Sequence, residues 1–313
     1  MTVAHEPLNA APRRVTLAHE VGSPTLLMCA PDWYDVHFLF NPHMRYSERV
    51  DRRRAKAQWT RLVRVLDEAG AELDFLEPRE GFGPLVFTAD GAFCFRDGDV
   101  LILRNDGVRG DVEPSIFREW FAKRGYRVES APPDCRLDGG NLVRLPDGNV
   151  LAGLKPGTTG RGERYLSRLL RFTCGASVLG VPLVDEKFLH LDTVVGVLGP
   201  RRFLVYEDGL RGDLASLAPF ADAEIVHVAR ADAERFACNV VVVGDVVVTG
   251  PISTDLTRRI ARLGYHVECV DLGEFYKAGG GAKCLTLPLR PPRHEGGDDE
   301  RRVESRGRAP VAR

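Results

Sequence analysis

The chain has 313 residues, of which 44% are apolar and 28% are charged, proportions typical of a globular protein with a sizeable core. Its formal net charge of -1 gives no global attraction for nucleic acid or an anionic membrane surface, so a charged ligand has to be met by local groups. The 7 cysteines show no CxxC or CxxH spacing and therefore indicate neither a zinc site nor a small disulfide framework.

The two ends of the chain differ in composition from the middle. The N-terminal segment has no sustained apolar run of the signal-peptide kind, and the most apolar stretch, 240–248, is interrupted by a glycine and an aspartate, so we expect a cytoplasmic protein. Residues 291–313 carry almost no apolar side chains. We expect residues 1–23 and 291–313 to be tails and 24–290 to form a single domain, because no linker-like segment divides it.

Helical patterns alternate with strand patterns along the chain, and most of the helices lead into their strand through a glycine. The predicted helix and strand pairs are, in chain order, 59–69 with 71–77, 116–121 with 126–131, 161–172 with 177–183, 213–221 with 223–228, and 253–263 with 265–272. Two junctions share a local spelling, GYRVE and GYHVE. The chain therefore contains five similar units.

Short strands are also predicted between these pairs. They are 85–89, 93–97 and 100–104; 190–198 with 203–207; and 240–243 with 246–250. Five α/β units of very roughly fifty residues indicate radial repetition, a five-bladed α/β propeller with pseudo-fivefold symmetry. A doubly wound parallel sheet is the alternative, but connections as short as Gly244-Asp245 are typical of antiparallel hairpins rather than crossovers.

Polar residues that could carry chemistry fall near the unit boundaries, where the loops of a propeller converge. They are Asp90, Asp138, His190 with Asp192, and Cys284. The aspartates at 90 and 138 stand in glycine-flanked turns, where this residue often binds its own backbone. The pattern places His190 at the start of an apolar strand, with Asp192 on the same face two residues later.

Cys284 follows three glycines and Lys283 and precedes the predicted strand CLTLPL. Glycines allow a ligand to approach the backbone closely, and a neighbouring cation lowers the pKa of a thiol. Taken alone, the residue fits two interpretations, a reactive thiol or a small buried apolar side chain.

The ordered set of motifs resembles the guanidino-group-modifying superfamily, which includes arginine deiminases, dimethylarginine dimethylaminohydrolases, arginine dihydrolases and amidinotransferases. The resemblance covers about residues 25–290, and its spellings are most similar to the arginine dihydrolases of bacterial ornithine-ammonia cycles and to dimethylaminohydrolase-like relatives. The motifs that carry it are CAPDWYDVHFLFNPHM (29–44), VFTADGAF (86–93), LDGGN (137–141), FLHLDTV (188–194), FACNVVVV (236–243) and FYKAGGGAKCLTL (275–287). The resemblance implies a five-bladed ββαβ propeller, the pentein fold.

The resemblance also implies roles for the candidate residues. Cys284 would be the nucleophile, His190 the general acid and base, and Asp138 the carboxylate that orients the histidine. Two further carboxylates, Asp90 and Asp192, would bind the guanidinium, whose fixed fork of donors matches bidentate acceptors. The substrate would be a small guanidino compound, attacked through a covalent thiouronium on sulfur without a metal or an organic cofactor.

Two further residues occupy positions where relatives contact the amino-acid part of the substrate. They are Asn41 in FNPHM and Arg104 in VLILR, and an exposed strand-end arginine is an equal alternative for the second. Asn239 in FACN is implied to lie beside the site, although its residue type also fits a simple turn. The oligomeric state is left open by the sequence.

Departures from the family spellings leave the exact reaction open. Arginine dihydrolases that resemble the chain have asparagine at the position of Asp90, whereas deiminases and dimethylaminohydrolases have aspartate. A Pro-Asp pair common in relatives is replaced by Pro84-Leu85, and LDGGN ends in Asn141. The resemblance implies a dimethylaminohydrolase-like hydrolase that acts on arginine or a methylated arginine and releases an amine or ammonia and citrulline. The alternatives are an arginine dihydrolase giving ornithine, carbon dioxide and ammonia, an amidinotransferase and, more remotely, a non-catalytic binding propeller.

Overall fold

The computed structural model describes residues 23–36, 49–104, 112–155, 160–188, 190–212 and 220–292. The helices in these ranges are α1 Arg52–Glu68, α2 Val112–Lys123, α3 Arg161–Cys174, α4 Arg230–Ala233, α5 Thr254–Arg262 and α6 Gly273–Tyr276. The strands are β1 Thr25–Cys29, β2 Glu72–Leu76, β3 Ala92–Arg96, β4 Asp99–Ile102, β5 Arg127–Ser130, β6 Leu142–Arg144, β7 Val150–Leu154, β8 Val178–Pro182, β9 Val195–Gly199, β10 Arg202–Val205, β11 Glu224–His227, β12 Val241–Val243, β13 Val246–Thr249, β14 His266–Cys269 and β15 Leu287–Pro288.

The described strands form five separate three-stranded sheets with one repeated topology. In β3-β4-β5, β6-β7-β8, β9-β10-β11 and β12-β13-β14, the first two strands pair antiparallel and the third pairs parallel to the second. The fifth sheet joins the two ends of the described chain, because β1 pairs antiparallel with β15 and parallel with β2. The fold is therefore a mixed α/β arrangement of five small sheets.

Helix α1 shows how the local sequence determines these elements. The side chain of Asp51 accepts a hydrogen bond from the Arg54 backbone N–H at 3.0 Å and so caps the first turn. Trp59, Leu62 and Leu66 recur at helical spacing and are buried. Burial of this apolar face holds the helix against its sheet.

Glycine ends the helices and redirects the chain into the parallel strand of each unit. Gly70, Gly125, Gly175 and Gly264 all adopt positive φ, between 70° and 98°. This left-handed conformation costs other residues about 1–2 kcal/mol. The glycine-led junctions predicted from the sequence are thus confirmed in four units, and most of the fourth predicted helix, 213–221, lies outside the described residues.

The predicted hairpin around Gly244-Asp245 is also confirmed. Val243 pairs with Val246 in the antiparallel ladder of β12 and β13, and Gly244 has a φ of 59°. Throughout the described ranges, each parallel pair shares a three-stranded sheet with an antiparallel pair, which excludes the doubly wound parallel sheet there.

Three predicted strands are wrong at the points that bear polar residues. Most of 85–89 lies in two short 3-10 helices, Gly83–Val86 and Thr88–Asp90. Residues Leu191–Thr193 form another 3-10 helix, so that His190 precedes a turn and β9 begins only at Val195. The strand predicted after Cys284 is limited to β15. In these segments, tight turns bury the apolar residues instead of pleated strands. The alternation of apolar residues in the sequence did not distinguish a turn from a strand.

Most of the cysteines are buried free thiols, although Cys174 and Cys269 are exposed. No helix of the described ranges is long and apolar enough to cross a membrane.

Candidate active site

Turns from all five units meet one another through short contacts. The contacts that join successive units are Gly139 against the Ala89 carbonyl, Leu191 N to Asn141 Oδ1 (3.1 Å), Asn239 Nδ2 to Asp192 O (3.4 Å), Cys284 N to Asn239 Oδ1 (3.2 Å) and Ala89 N to Cys284 O (3.3 Å). The last contact returns to the unit of the first. The turns therefore follow one another in a cycle. Five of the predicted site residues lie on or directly beside them: Asp90, Asp138, His190, Asp192 and Cys284.

The Cys284 thiol lies on the last of these turns and is almost completely buried. Its Sγ is 3.2 Å from the side-chain nitrogen of Asn239 and 3.8 Å from Oδ2 of Asp192. Burial, together with the negative charges of Asp192 and Asp90, raises the pKa of the thiol well above its usual value, whereas Lys283 acts in the opposite direction. The substrate-free site therefore favours the neutral thiol.

Both polar atoms of the Asn239 side-chain amide contact Cys284, the candidate nucleophile. Its Oδ1 accepts a hydrogen bond from the Cys284 backbone N–H, while its Nδ2 points at the sulfur. The side chain is fully buried, so its orientation is fixed by these contacts. An amide N–H directed at sulfur favours the thiolate over the thiol.

The carboxylate of Asp192 is fully buried, and its two oxygens differ in their surroundings. Oδ2 accepts a hydrogen bond from Lys283 Nζ at 3.0 Å, whereas Oδ1 has no hydrogen-bond partner among the residues that the structure describes. The charges of Asp192, Cys284 and Asp90 raise the pKa of Lys283, although burial alone would lower it. Lys283 is therefore a charged ammonium beside the carboxylate of Asp192.

His190 and Asp138 form the other half of the site. The imidazole Nε2 lies 3.5 Å from Oδ2 of Asp138, and Lys155 Nζ donates to the same oxygen at 2.8 Å. Burial alone would raise the pKa of Asp138, but the hydrogen bond from His190 and the charges of His190 and Lys155 hold it well below its usual range. A small, partly open cleft lies beside Asp138 and Lys155.

The pKa of His190 is raised even though its burial acts in the opposite direction. The hydrogen bond to Asp138 and the negative charges of Asp90 and Asp138 outweigh both that burial and the positive charge of Lys155. The imidazole is therefore set to hold a proton near neutral pH.

Asp90 connects the two halves. Its Oδ1 accepts a hydrogen bond from the Gly140 backbone N–H at 3.2 Å, and its charge raises the pKa of both His190 and Cys284. A Cβ at Gly140 would lie 2.4 Å from Nδ1 of His190, and one at Gly139 would lie 1.8 Å from the Ala89 carbonyl oxygen. Both glycines of LDGGN are thus required by close approach of neighbouring turns.

The five residues Cys284, His190, Asp138, Asp90 and Asp192, which the sequence predicts as a site, are joined by these contacts. For Arg104, the structure describes a hydrogen bond from Nε to the Ala131 carbonyl at 3.3 Å, beyond the end of β5. Asn41 lies outside the described residues.

Sequence reasoning missed Lys155 and gave Asn239 no specific contact. The signal for the lysine is weak, a cation placed between a buried strand and a Pro-Gly pair in GLKPG. Among the residues that the structure describes, no cluster of three or more His, Cys, Asp or Glu side chains is arranged to hold a metal ion.

A buried thiol, an imidazole held by a carboxylate and two further carboxylates beside them form the arrangement used by enzymes with a cysteine nucleophile. This is the class of protein that the fold and the site define. The comparisons with known proteins show which family within this class the chain is similar to.

The chain is similar to several enzymes of arginine metabolism. It is 36% identical over 272 residues to the bifunctional arginine dihydrolase/ornithine cyclodeaminase AgrE of Nostoc sp., covering 85% of this chain and 38% of AgrE. It is 30% identical over 268 residues to the N(G),N(G)-dimethylarginine dimethylaminohydrolase of Mycobacterium tuberculosis, covering 84% of this chain and 85% of that enzyme. The chain thus spans well under half the length of AgrE. No protein-family profile matches it.

The structural comparison agrees with the sequence comparison. The N-terminal domain of ArgZ, covalently bound to a reaction intermediate, superposes with a TM-score of 0.78 at 30% identity, covering 86% of this chain and 99% of that domain. The chain therefore belongs to the guanidino-group-modifying enzyme superfamily, and it groups there with the hydrolases.

Proposed function

We propose that the protein hydrolyses a carbon–nitrogen bond at the guanidinium carbon of arginine or of a methylated arginine. The reaction passes through a covalent intermediate on Cys284. The observation that carries this proposal is a buried thiol whose nearest charged neighbours include the carboxylates of Asp192 and Asp90. Two carboxylates beside a neutral thiol match a planar cation, which forms charge-assisted hydrogen bonds and offsets their buried charge.

Binding of the cation would also activate the nucleophile. The carboxylates and burial raise the pKa of Cys284 in the empty site. A guanidinium between Asp90 and Asp192 would place a positive charge near the sulfur and lower that pKa again. The thiolate would then form mainly where a substrate is present to react with it.

The proposed reaction has two steps on one carbon. The thiolate attacks the guanidinium carbon, the bond from carbon to the departing nitrogen breaks, and that nitrogen takes a proton from the imidazole of His190. Water then attacks the S-linked thiouronium and gives one proton to the same imidazole. The carbon–sulfur bond breaks, the second proton of the attacking water returns to the sulfur, and the neutral thiol is regenerated as the ureido product leaves. Asp138, opposite Nε2, orients the ring and stabilises its charged form.

The remaining predicted residues would bind the amino-acid part of the substrate. We propose Arg104 for the α-carboxylate, for which a planar guanidinium is suited, and Asn41 for a further polar contact. Both assignments rest on the resemblance of VLILR and FNPHM to family motifs.

One hydrolytic round, yielding citrulline with ammonia or an alkylamine, is the first candidate because position 90 carries aspartate, as in the deiminases and dimethylaminohydrolases that the motif resembles. A second round, yielding ornithine, is favoured by a different observation. The chain is 36% and 32% identical to AgrE and ArgZ, which are named as arginine dihydrolases.

We also propose that residues 24–290 form one domain in which the five sheets are the blades of a ββαβ propeller. The repeated sheet topology, the pairing of β15 with β1 and the cyclic order of contacts between the five turns support this arrangement. A crystal structure with the turns of Ala89 and Cys284 far apart would contradict it.

The experiment is to incubate the protein with arginine, monomethylarginine, asymmetric dimethylarginine and agmatine and to identify the products by mass spectrometry. We expect citrulline with ammonia or a methylamine from at least one arginine compound, and a trapped mass increase on the peptide that contains Cys284. Ornithine with carbon dioxide would indicate the two-round reaction. Recovery of every compound unchanged by the folded protein would reject the proposal.

A further inference from the structure

Lys283, the residue immediately before the thiol, is bonded to one of the carboxylates that flank it. Its Nζ lies 3.0 Å from Oδ2 of Asp192, and its own side chain is about one-fifth exposed, whereas the carboxylate is fully buried. Position 283 has no role in the reaction steps above, so its contact with Asp192 requires a separate explanation.

The two oxygens of Asp192 are used unequally. Oδ2 faces both Lys283 and the sulfur of Cys284, the latter at 3.8 Å. Within the described part of the chain, Oδ1 is buried without a hydrogen-bond partner. An unsatisfied buried acceptor is destabilising, and it is expected where a ligand later supplies the donor.

A second lysine–carboxylate pair in the same region provides a contrast. Lys277 donates to Oε2 of the buried Glu274, and this oxygen also accepts the Asp51 backbone N–H, while Oε1 lies 3.8 Å from Arg54 Nε. Both oxygens of Glu274 therefore face protein donors, as a purely structural pair requires. The pair of Lys283 and Asp192 differs because Oδ1 of Asp192 has no donor among the described residues.

We propose that Lys283 is a positioning residue: by holding Oδ2 on the side of the Cys284 thiol, it fixes the Asp192 carboxylate and leaves Oδ1 to accept an N–H of the bound guanidinium. This inference rests on the proposed function and deepens it. It implies that the guanidinium nitrogen at Asp192 carries at least one hydrogen.

Replacing Lys283 by methionine removes the cation but retains a long apolar side chain. Oδ2 then loses its charged donor and keeps only the longer contact with the S–H of Cys284, so the carboxylate is free to turn. The negative charges of Asp192 and Asp90 raise the pKa of the thiol, and the positive charge of Lys283 lowers it. The variant therefore removes the charge that opposes the two carboxylates. We expect the apparent pKa of Cys284 alkylation to rise by about one unit or more and the KM for the guanidino substrate to rise about tenfold.

The experiment compares wild type with Lys283→Met, Lys283→Arg and the matched control Lys277→Met. Alkylation of Cys284 by iodoacetamide is followed across pH by peptide mass spectrometry, and kcat and KM are measured with the substrate found for the wild type. Lys283→Arg should restore most of both properties because it keeps the charge, and Lys277→Met should leave the alkylation profile unchanged. Lys283→Gln replaces the methionine variant if the latter fails to fold.

Asp192→Asn provides the decisive combination. If Lys283 acts through Asp192, Lys283→Met adds little to the rise in KM already caused by Asp192→Asn. Independent, multiplicative losses, or a wild-type alkylation profile in folded Lys283→Met, would overturn the inference. The alkylation measurement needs no turnover. A wild type inactive on every guanidino compound would therefore reject the proposed function, while the alkylation profiles would still decide whether Lys283 controls the thiol.

Discussion

The site contains two lysine–carboxylate pairs, one beside the imidazole of His190 and the other beside the thiol of Cys284. Beside the imidazole, Asp138 binds Lys155 and His190 through one oxygen, and the pKa of His190 is raised. Beside the thiol, Asp192 binds Lys283, and burial with the nearby carboxylates raises the pKa of Cys284. Carboxylates favour the protonated form in both cases, which gives a charged imidazolium on one side and a neutral thiol on the other.

Under the proposed mechanism, the empty site retains its protons until a cationic substrate binds. An imidazolium is ready to act as an acid, but a thiol is not yet a nucleophile. The two halves should therefore respond differently to substitution and to pH.

The largest effect is expected on the thiol side, from Cys284→Ser. A hydroxyl cannot replace a thiolate at this carbon, so kcat should fall by at least about a thousandfold and the covalent adduct should disappear. Steady-state turnover and intact-protein mass measure the two quantities. Cys174→Ser, at an exposed position on α3, is the control and should retain both.

The next effect is expected on the imidazole side, from Asp138→Asn. Loss of the carboxylate removes the charge that raises the pKa of His190, and burial then lowers that pKa. We expect kcat to fall by about a hundredfold to ten-thousandfold and the basic limb of the pH–rate profile to move to lower pH. Alkylation of Cys284 should change little, and an equal loss of thiol reactivity would show that the two halves are not separable.

A third test uses the wild-type thiol without substrate. Because the pKa of Cys284 is raised, its thiolate fraction near pH 7.5 should be smaller than that of a free cysteine, and iodoacetamide should react at least about tenfold more slowly. The rate should increase continuously above pH 9. A reaction midpoint below about 8.5 would contradict the described balance of charges.

The smallest effect is expected from Lys155→Met. Lys155 lowers the pKa of His190, so its removal should raise that pKa and move the basic limb to higher pH, opposite to Asp138→Asn. Because the lysine is partly exposed and solvent screens its charge, we expect a shift below about one unit and a loss of kcat below about tenfold. A pH–rate profile measures both, and a shift in the same direction as Asp138→Asn would remove Lys155 from this role.

Local sequence patterns predicted the repeated units well. The glycines at 70, 125, 175 and 264 were identified from their position between helix and strand, and each has positive φ. The same patterns failed at 85–89 and around His190, where 3-10 turns replace the predicted strands. A buried apolar turn and a buried apolar strand have similar composition, and only the contacts of the assembled turns distinguish them.

By itself, the sequence determined the order of helices, hairpins and glycine junctions, and its motifs singled out the thiol, the imidazole and the three carboxylates. Those features depend on neighbours a few residues away. Which lysine meets which carboxylate was decided only by the tertiary structure. Lys283 and Asp192 are 91 residues apart, and Lys155, just after β7, lies 17 residues beyond Asp138. The protonation of the site follows from those distant contacts.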